Sequence, residues 1–179
     1  MKKIFIVLIL FFSFSSIVGA ETQRITSGNK NAKITIIAYE SLTCSHCANF
    51  HADVYPKLKA DYIDTGLAKI EFRHFPLDLA ALNASKIAQC KSDQSLEILE
   101  SLYSNQQTWV KGNTVEEINN NLKAFIKQKG FKLDFEKCIN NKEIEDFVLN
   151  DRIEGTKSFK VNATPTIIIN NKKFEKSLN

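Results

Sequence analysis

The chain has 179 residues, of which 44% are hydrophobic and 25% are charged, and this composition suffices to bury the core of one domain carrying an insertion. Its formal net charge at pH 7 is only +4, and its 24 lysines and arginines are scattered along the sequence. Nucleic-acid-binding proteins concentrate basic residues on one face. We therefore exclude that class and predict no nucleic-acid partner.

Residues 1–20 have the three parts of a secretory signal peptide. Two lysines precede an apolar run from Ile4 to Val18, and the small residues Gly19 and Ala20 follow it. We predict cleavage after Ala20 and export to the periplasm. The alternative is an uncleaved membrane anchor, but the run has 15 residues and is interrupted by serines, whereas a spanning helix needs about 18.

A strand followed by a helix is predicted around the first two cysteines. Residues 33–39 are apolar and β-branched, as in a buried strand. From Cys47 onward, residues at helical spacing form one predicted face: Phe50, His51, Val54, Tyr55, Leu58 and Tyr62. Pro56 predicts a kink in this helix, and Gly66 predicts its end.

Strands flank a long helical block in the rest of the chain. Residues 69–75 have strand composition, and residues 78–159 are helical in pattern throughout. Within that block, Thr114 and Glu117 have the spacing of a capping box. Strand composition returns at 166–170.

A hairpin is predicted at the end of the chain, where Asn170-Asn171 would form the turn before a short strand at 173–175. The predicted fold class is therefore α/β, with a block of helices inserted into a strand–helix–strand unit.

The four cysteines, Cys44, Cys47, Cys90 and Cys138, all follow the predicted signal peptide, so disulfides can form and persist. Four cysteines allow three pairings, but the two-residue gap favours Cys44 with Cys47 and leaves Cys90 with Cys138. We predict that Cys90 and Cys138 form a structural disulfide. The alternative is a pair of buried free thiols.

The spacing of Cys44 and Cys47 serves zinc binding as well as redox chemistry. Structural zinc needs four ligands, but the other cysteines are single and distant, and His46 between the two cysteines would strain a tetrahedral site. We therefore predict no metal site. A disulfide across two residues at a helix start is labile, so a catalytic role is favoured over a structural one.

Each residue of this motif has a predicted role. Cys44 would stand at the exposed start of the helix, where free N–H groups and the helix dipole stabilise a thiolate. His46, when protonated, would add to that stabilisation. Cys47 would be the shielded resolving thiol. The predicted cofactor requirement is none beyond the redox-active disulfide of Cys44 and Cys47.

Four segments of the chain resemble the DsbA family: SLTCSHCANFH at 41–51, YPKL at 55–58, FPLD at 75–78 and ATPT at 163–166. The resemblance implies a thioredoxin fold with an inserted α-helical domain. It implies a thioredoxin-like domain formed by 21–77 and 160–179, and a helical insertion at 78–159.

The resemblance also implies how substrates bind. Thr164-Pro165 would be a cis peptide beside the dithiol, and the backbone of Thr164 would pair with an extended substrate. The implied partners are reduced or unfolded secreted proteins and a membrane reoxidant resembling DsbB. We expect a monomer that passes a disulfide to its substrates through a mixed disulfide on Cys44.

The chain departs from the family at two places. Where relatives place a buried acid before the dithiol, this chain has Ala38, and Glu40 on the same strand face is either a substitute or a solvated strand end. Relatives also continue into a helix where this chain ends at Asn179. We therefore expect that helix to be missing and part of the sheet to be uncovered.

Other functions remain open from the sequence. Within the same chemistry, Thr164 before the proline is compatible with an isomerase or reductase. In other classes, the chain could be a peptide-binding, chaperone-like module whose CxxC is incidental, or a secreted thiol metallochaperone.

Overall fold

The structure is a computed structural model in which residues 22–176 are described. The predicted signal peptide and its cleavage site lie outside the described residues, as do residues 177–179, on which the expectation of a missing C-terminal helix depends. No helix within 22–176 is long and apolar enough to cross a membrane.

A five-stranded mixed sheet forms the centre of the fold, with the strand order β1-β3-β2-β4-β5. Strand β2 is central, runs parallel to β3 and is antiparallel to β4, while β1 and β5 are antiparallel edge strands. The strands are β1 (Ile25–Gly28), β2 (Ile34–Glu40), β3 (Ala68–His74), β4 (Thr166–Ile169) and β5 (Lys172–Lys173). The structure thus confirms the predicted α/β class.

Strand β1 shows where the local pattern misleads. The sequence indicates only a polar stretch around Gly28, but residues 25–28 pair with β3, where Ile25 lies opposite Phe72. Ile25 is fully buried. Its burial against β3 outweighs the polar composition of its neighbours, because strand propensity depends on packing context.

The predicted hairpin is confirmed at its turn and shifted in its last strand. Asn170 and Asn171 both have positive φ, 47° and 66°, which is the geometry of the tight turns that join antiparallel strands. The final strand is Lys172–Lys173 instead of 173–175.

The helix after the dithiol is continuous but irregular. It consists of α1 (Ser45–Asn49), a π-helical turn Phe50–Val54, α2 (Tyr55–Leu58) and a second π-helical turn Lys59–Ile63. The N–H of Tyr55 bonds the carbonyl of Phe50, five residues earlier, just before Pro56. The disruption predicted at the proline therefore takes the form of π-helical turns, which insert extra residues into the helical ladder.

These wide turns shift the buried face of the helix. Tyr62, predicted on the buried face, is 48% exposed, and Ile63 is buried instead. A constant 3.6-residue period does not survive two π-helical turns. The helix ends where predicted, since Gly66 has a φ of 78° and bonds back to Ile63.

Six helices separate β3 from β4: α3 (Leu79–Gln89), α4 (Ser95–Ser104), α5 (Gln106–Trp109), α6 (Val115–Gln128), α7 (Phe135–Ile139) and α8 (Lys142–Phe159). They share one core with the sheet, in which Ile36 and Phe72 pack with Leu102 and Leu122. The predicted helical block is confirmed, whereas its division from the sheet as a separate domain stays a prediction.

The start of α6 carries a displaced capping box. The Thr114 hydroxyl accepts a bond from the N–H of Glu117, as predicted. The Glu117 carboxylate, however, accepts from the N–H of Asn113 and not from that of Thr114.

Helix α8 packs on the second face of the sheet, where it covers Tyr39. Gly155 permits this contact, because a Cβ atom there would lie 2.7 Å from the Tyr39 ring. Tyr39, Ile37, Phe75 and Ile168 form the small core on this face. Both faces of β2 are therefore covered, which explains its continuous apolar composition.

A disulfide joins Cys90, at the end of α3, to Cys138 in α7, with Cα atoms 5.5 Å apart. The two half-cystines are 48 residues apart in sequence. A cross-link of that span lowers the entropy of the unfolded chain and would stabilise the fold by roughly 4 kcal/mol in the chain-entropy model.

We predict that Cys90→Ala/Cys138→Ala lowers the free energy of unfolding by about 2–4 kcal/mol, as measured by urea denaturation in a Cys44→Ser/Cys47→Ser background. Reduction of that background protein with dithiothreitol is the matched control, because it breaks the cross-link and leaves the side chains in place. Peptide mapping that finds both cysteines alkylated in oxidised protein would show that the bond does not form.

Candidate active site

Cys44 and Cys47 lie where the central strand β2 gives way to α1. Cys44 is the N-cap residue of α1 and is partly exposed, while Cys47 lies in its first turn and is fully buried. Both are free thiols in the structure. The N–H groups of Cys47 and Ala48 point back to the Cys44 carbonyl. The dithiol is thus divided into one accessible and one inaccessible sulfur.

The loop before Cys44 is fixed by the segment that follows β3. The Thr43 hydroxyl donates to the Asp78 carboxylate at 2.7 Å. The Leu77 N–H donates to the Ser41 hydroxyl at 3.3 Å. These two bonds explain why the FPLD segment belongs with the CxxC segment, which sequence separation alone does not reveal.

Gln106 supports the same loop from the helical block. Its buried side-chain amide donates to the carbonyl oxygens of Leu42 at 2.8 Å and of Cys44 at 3.0 Å. Gln106 was not among the sequence-predicted site residues, because a single glutamine carries no pattern. The helical block therefore contributes directly to the position of Cys44.

Thr164 and Pro165 lie against the dithiol, just before β4. The peptide bond between them is cis, and the Cys44 sulfur lies 3.3 Å from the Thr164 carbonyl oxygen, to which it donates when protonated. The Thr164 hydroxyl is buried, and its one hydrogen-bond partner among the described residues is the Cys44 sulfur beside it. Two of the four segments that carry the family resemblance thus meet at one sulfur, although Cys44 and Thr164 are 120 residues apart.

The surroundings of Cys44 favour its thiolate. The Cys47 S–H donates to it, and this bond, the Thr164 side chain and the backbone N–H groups of Cys47 and His46 together outweigh partial burial and lower the pKa of Cys44 to about 5. Hydrogen bonds from several donors to one charged sulfur are the main cause. Cys44 is therefore ionised at neutral pH.

Cys47 has the opposite character. Burial chiefly, then its hydrogen bond to Cys44 and the negative charge of Glu40, raise the pKa of the Cys47 thiol. Cys47 therefore keeps its proton while Cys44 carries the charge. This asymmetry agrees with the predicted roles, Cys44 as the exposed, stabilised thiolate and Cys47 as the shielded resolving thiol.

His46 is exposed between the two cysteines. Its contribution to the Cys44 thiolate is made by its backbone N–H. The predicted effect of its imidazole on Cys44 stays a prediction.

Glu40 is a buried acid, not a solvated strand end. It is only 4% exposed, on the same face of β2 as Ala38, and its Oε2 lies 2.9 Å from Nε2 of His51. Both side chains are almost fully enclosed. The sequence left Glu40 open and placed His51 only on a helix face. His51 lies four residues after Cys47, and this spacing, which places both side chains on one face of a helix, was the available sequence signal.

Within residues 22–176, no group of three or more histidine, cysteine, aspartate or glutamate side chains is arranged to hold a metal ion.

The fold and this geometry define a class. A CxxC dithiol that opens a helix after the central strand of a mixed sheet, facing a cis-proline, makes a thioredoxin-fold protein with a reactive dithiol. The family model described as Thioredoxin matches residues 20–179. The chain belongs to the thioredoxin family and, within it, to the DsbA-like proteins.

Solved and curated relatives agree with this assignment. The crystal structure of Wolbachia pipientis alpha-DsbA1 is 33% identical, with a TM-score of 0.73, over 84% of this chain and 78% of that one. A Rickettsia bellii protein whose name describes a protein-disulfide oxidoreductase is 32% identical over 80% of this chain and 55% of its own length. Disulfide bond formation protein D of Bacillus subtilis is 26% identical over 81% and 67%. The chain spans about half the length of the rickettsial relative.

We predict that the Cys44 thiol titrates near pH 5 and that Cys47→Ala raises its pKa by about one to two units. The reason is that a hydrogen bond to a charged group, worth about 1.5–3 kcal/mol, is then absent. Thiolate absorbance near ~240 nm measures both values. If the pKa of Cys44 were the same in Cys47→Ala as in the wild type, the stabilisation of the thiolate would be due to Thr164 and the backbone N–H groups instead.

The His46→Gln variant is the matched comparison in the same titration. A higher Cys44 pKa in that variant would establish that the imidazole contributes beyond its backbone N–H. An unchanged pKa would contradict the sequence-based prediction for His46.

Proposed function

We propose that this protein is a thiol–disulfide oxidoreductase that donates its Cys44–Cys47 disulfide to reduced exported proteins. The observation that carries the proposal is the stabilised Cys44 thiolate, with a pKa of about 5. A stabilised thiolate favours the reduced form, so the oxidised form gives its disulfide away readily.

The exchange proceeds in two displacements. A substrate thiolate attacks Cys44, the Cys44–Cys47 bond breaks, and Cys47 leaves with the electron pair. A second substrate thiolate then attacks the substrate sulfur of the mixed disulfide, and Cys44 leaves as the thiolate that its hydrogen bonds stabilise. Two electrons pass from the substrate to the dithiol, with no further cofactor.

Thr164 is proposed to hold the substrate during this exchange. Its carbonyl lies 3.3 Å from the Cys44 sulfur, and an extended chain could add to the backbone there as a short strand. Its hydroxyl, which has no other partner among the described residues, would remain available to the leaving thiolate.

The proposed setting follows from the predicted export and the relatives. After cleavage behind Ala20, the protein would act as a monomer in the periplasm, where disulfides persist. It would be reoxidised by a membrane protein resembling DsbB. The names of the relatives, which describe disulfide formation, support this direction of transfer.

We predict that the protein is oxidising relative to glutathione, and increasingly so as the pH rises from about 6 to 8. In this window reduced protein carries one proton fewer than a full dithiol, because the Cys44 pKa of about 5 lies below it. Reduction of the protein by two glutathione molecules thus releases one proton, and its equilibrium constant rises about tenfold per pH unit.

The absolute position of that equilibrium separates oxidant from reductant. A reduction potential of about −120 mV supports disulfide donation, whereas a value of about −270 mV would show that the protein is a reductant. Thiol alkylation followed by mass spectrometry measures the ratio of the two forms in glutathione buffers.

We predict that Cys47→Ser accumulates mixed disulfides between Cys44 and secreted proteins, because the resolving thiol is absent. Non-reducing gels of exported protein measure the adducts. Cys44→Ser should give none. Adducts that form on Cys44→Ser instead would reverse the two roles, and survival of in-vivo activity in the double variant would favour a chaperone-like module.

A further inference from the structure

A cleft opens beside the dithiol, on the side of the inserted helices, and the two displacements described above do not use it. This dithiol cleft has a volume of about 420 Å³ and lies between the helix that opens at the CxxC motif and the end of α4 with α5. Ser45, the residue directly after Cys44, is part of its lining. The cleft therefore begins next to the cysteine that substrates attack.

Cys44 is contacted both from the cleft and from the segment proposed to hold substrates. Its sulfur lies 3.3 Å from the Thr164 carbonyl oxygen. Its own carbonyl accepts a hydrogen bond from Gln106, which lines the cleft. Neither Thr164 nor Pro165 is part of that lining. The cleft is thus available to a part of the substrate that Thr164 does not hold.

The lining of the cleft contains no lysine, arginine, aspartate or glutamate, although 25% of the residues of the chain are charged. Its one histidine, His51, is bonded through Nε2 to Glu40. By contrast, the cavity beside α6 and α7 is lined by several lysines and by Asp134 and Glu136. A charged substrate side chain in the dithiol cleft would lose water without gaining a counter-charge, which is unfavourable.

The two walls of the cleft offer hydrogen-bonding groups instead of charges. Asn49, on the helix that follows the dithiol, and Gln107, on α5, are both exposed in the lining. Each side-chain amide can donate and accept, which suits the N–H and C=O groups that alternate along an extended backbone. An unfolded substrate has these groups unpaired. The cleft is therefore suited to an extended, uncharged stretch of polypeptide.

The length of the cleft determines how much of a substrate it can hold. On the helix that follows the dithiol it extends from Ser45 to Ala52, which at ~1.5 Å per residue is about 10 Å. An extended chain advances about 3.3 Å per residue. The cleft can thus accommodate about three residues of an extended substrate.

We propose that the dithiol cleft is a second substrate subsite, a role that rests on the disulfide exchange proposed above. It takes the residues next to the reacting cysteine on the flank that does not pair with Thr164. The side-chain amides of Asn49 and Gln107 bind the backbone of this flank. Uncharged side chains are accepted there and charged ones are disfavoured, so the preferred substrates are unfolded segments whose cysteine has an uncharged flank.

The test compares reduced two-cysteine peptides that differ at one kind of position. The residue two places from each cysteine is serine, lysine or aspartate, on the N-terminal side in one set and on the C-terminal side in the other. Oxidised protein is mixed with each peptide, and acid quenching with mass spectrometry gives the second-order rate constant. Each value is divided by that for dithiothreitol, an uncharged dithiol with no peptide flank, which corrects for any change at Cys44 itself.

We expect the serine peptide to react about threefold or more faster than both charged peptides in one of the two sets. A nearby lysine and a nearby aspartate shift the pKa of the peptide thiol in opposite directions, so slower exchange of both peptides is not an effect on that thiol. Equal rates for the three peptides in both sets would overturn the subsite. Failure of the protein to oxidise any peptide would instead overturn the proposed function.

New charges at Gln107 test whether the discrimination arises in the cleft. Relative to the wild type, Gln107→Glu should raise the ratio of the lysine-peptide rate to the aspartate-peptide rate about threefold, and Gln107→Lys should lower it about threefold, as for an exposed ion pair. Gln128→Glu and Gln128→Lys are the matched controls, because Gln128 is exposed on α6 and does not line the cleft. They should keep the wild-type ratio. An unchanged ratio in both Gln107 variants would overturn the proposal.

Filling the cleft is an independent test. Ala52 is exposed in its lining, so Ala52→Phe places a ring where the substrate flank would lie. Its peptide rates relative to dithiothreitol should fall about threefold or more, because hydrogen bonds to the substrate backbone are lost. Ala60→Phe, at an exposed position further along the same helix and outside the lining, is the matched control and should keep the wild-type values. Unchanged relative rates in Ala52→Phe would likewise overturn the subsite.

Discussion

The antiparallel pairing of β2 with β4 is the constraint on which the dithiol site depends. It places Tyr39 opposite Thr166, so the segment entering β4 passes the point where β2 ends and α1 begins. Thr164 thereby meets Cys44, although 120 residues separate them. Because side chains alternate along a strand, a one-residue shift in the register between β2 and β4 would move the side chains of β4 to the opposite face of the sheet.

The two cysteines differ because one hydrogen bond acts on them in opposite directions. The bond from Cys47 to Cys44 stabilises a charge on Cys44 and the proton on Cys47. Burial of Cys47 and the charge of Glu40 add to this difference. An exposed cysteine that is stable as a thiolate, beside a shielded cysteine that keeps its proton, suits an exchange reaction in which Cys44 is the leaving group.

The helices between β3 and β4 complete the site. Gln106 holds the backbone of the Cys44 loop, and Tyr103 stacks on the ring of His51. Tyr103 also belongs to the core that these helices share with the sheet. The inserted helices therefore position the chemistry as well as extend the surface around it, which links their stability, including the Cys90–Cys138 cross-link, to the dithiol.

The sequence by itself determined the features that depend on neighbours along the chain. These are the central strand, the helix that opens at the CxxC motif, the turn at Asn170-Asn171 and, through the family resemblance, the fold. Tertiary structure decided the rest. Ile25 forms a strand only because β3 is beside it, and Tyr62 is exposed because π-helical turns shift the helix face. Glu40 is a buried partner of His51 because a strand end and a helix turn converge there, a proximity that residue spacing does not encode.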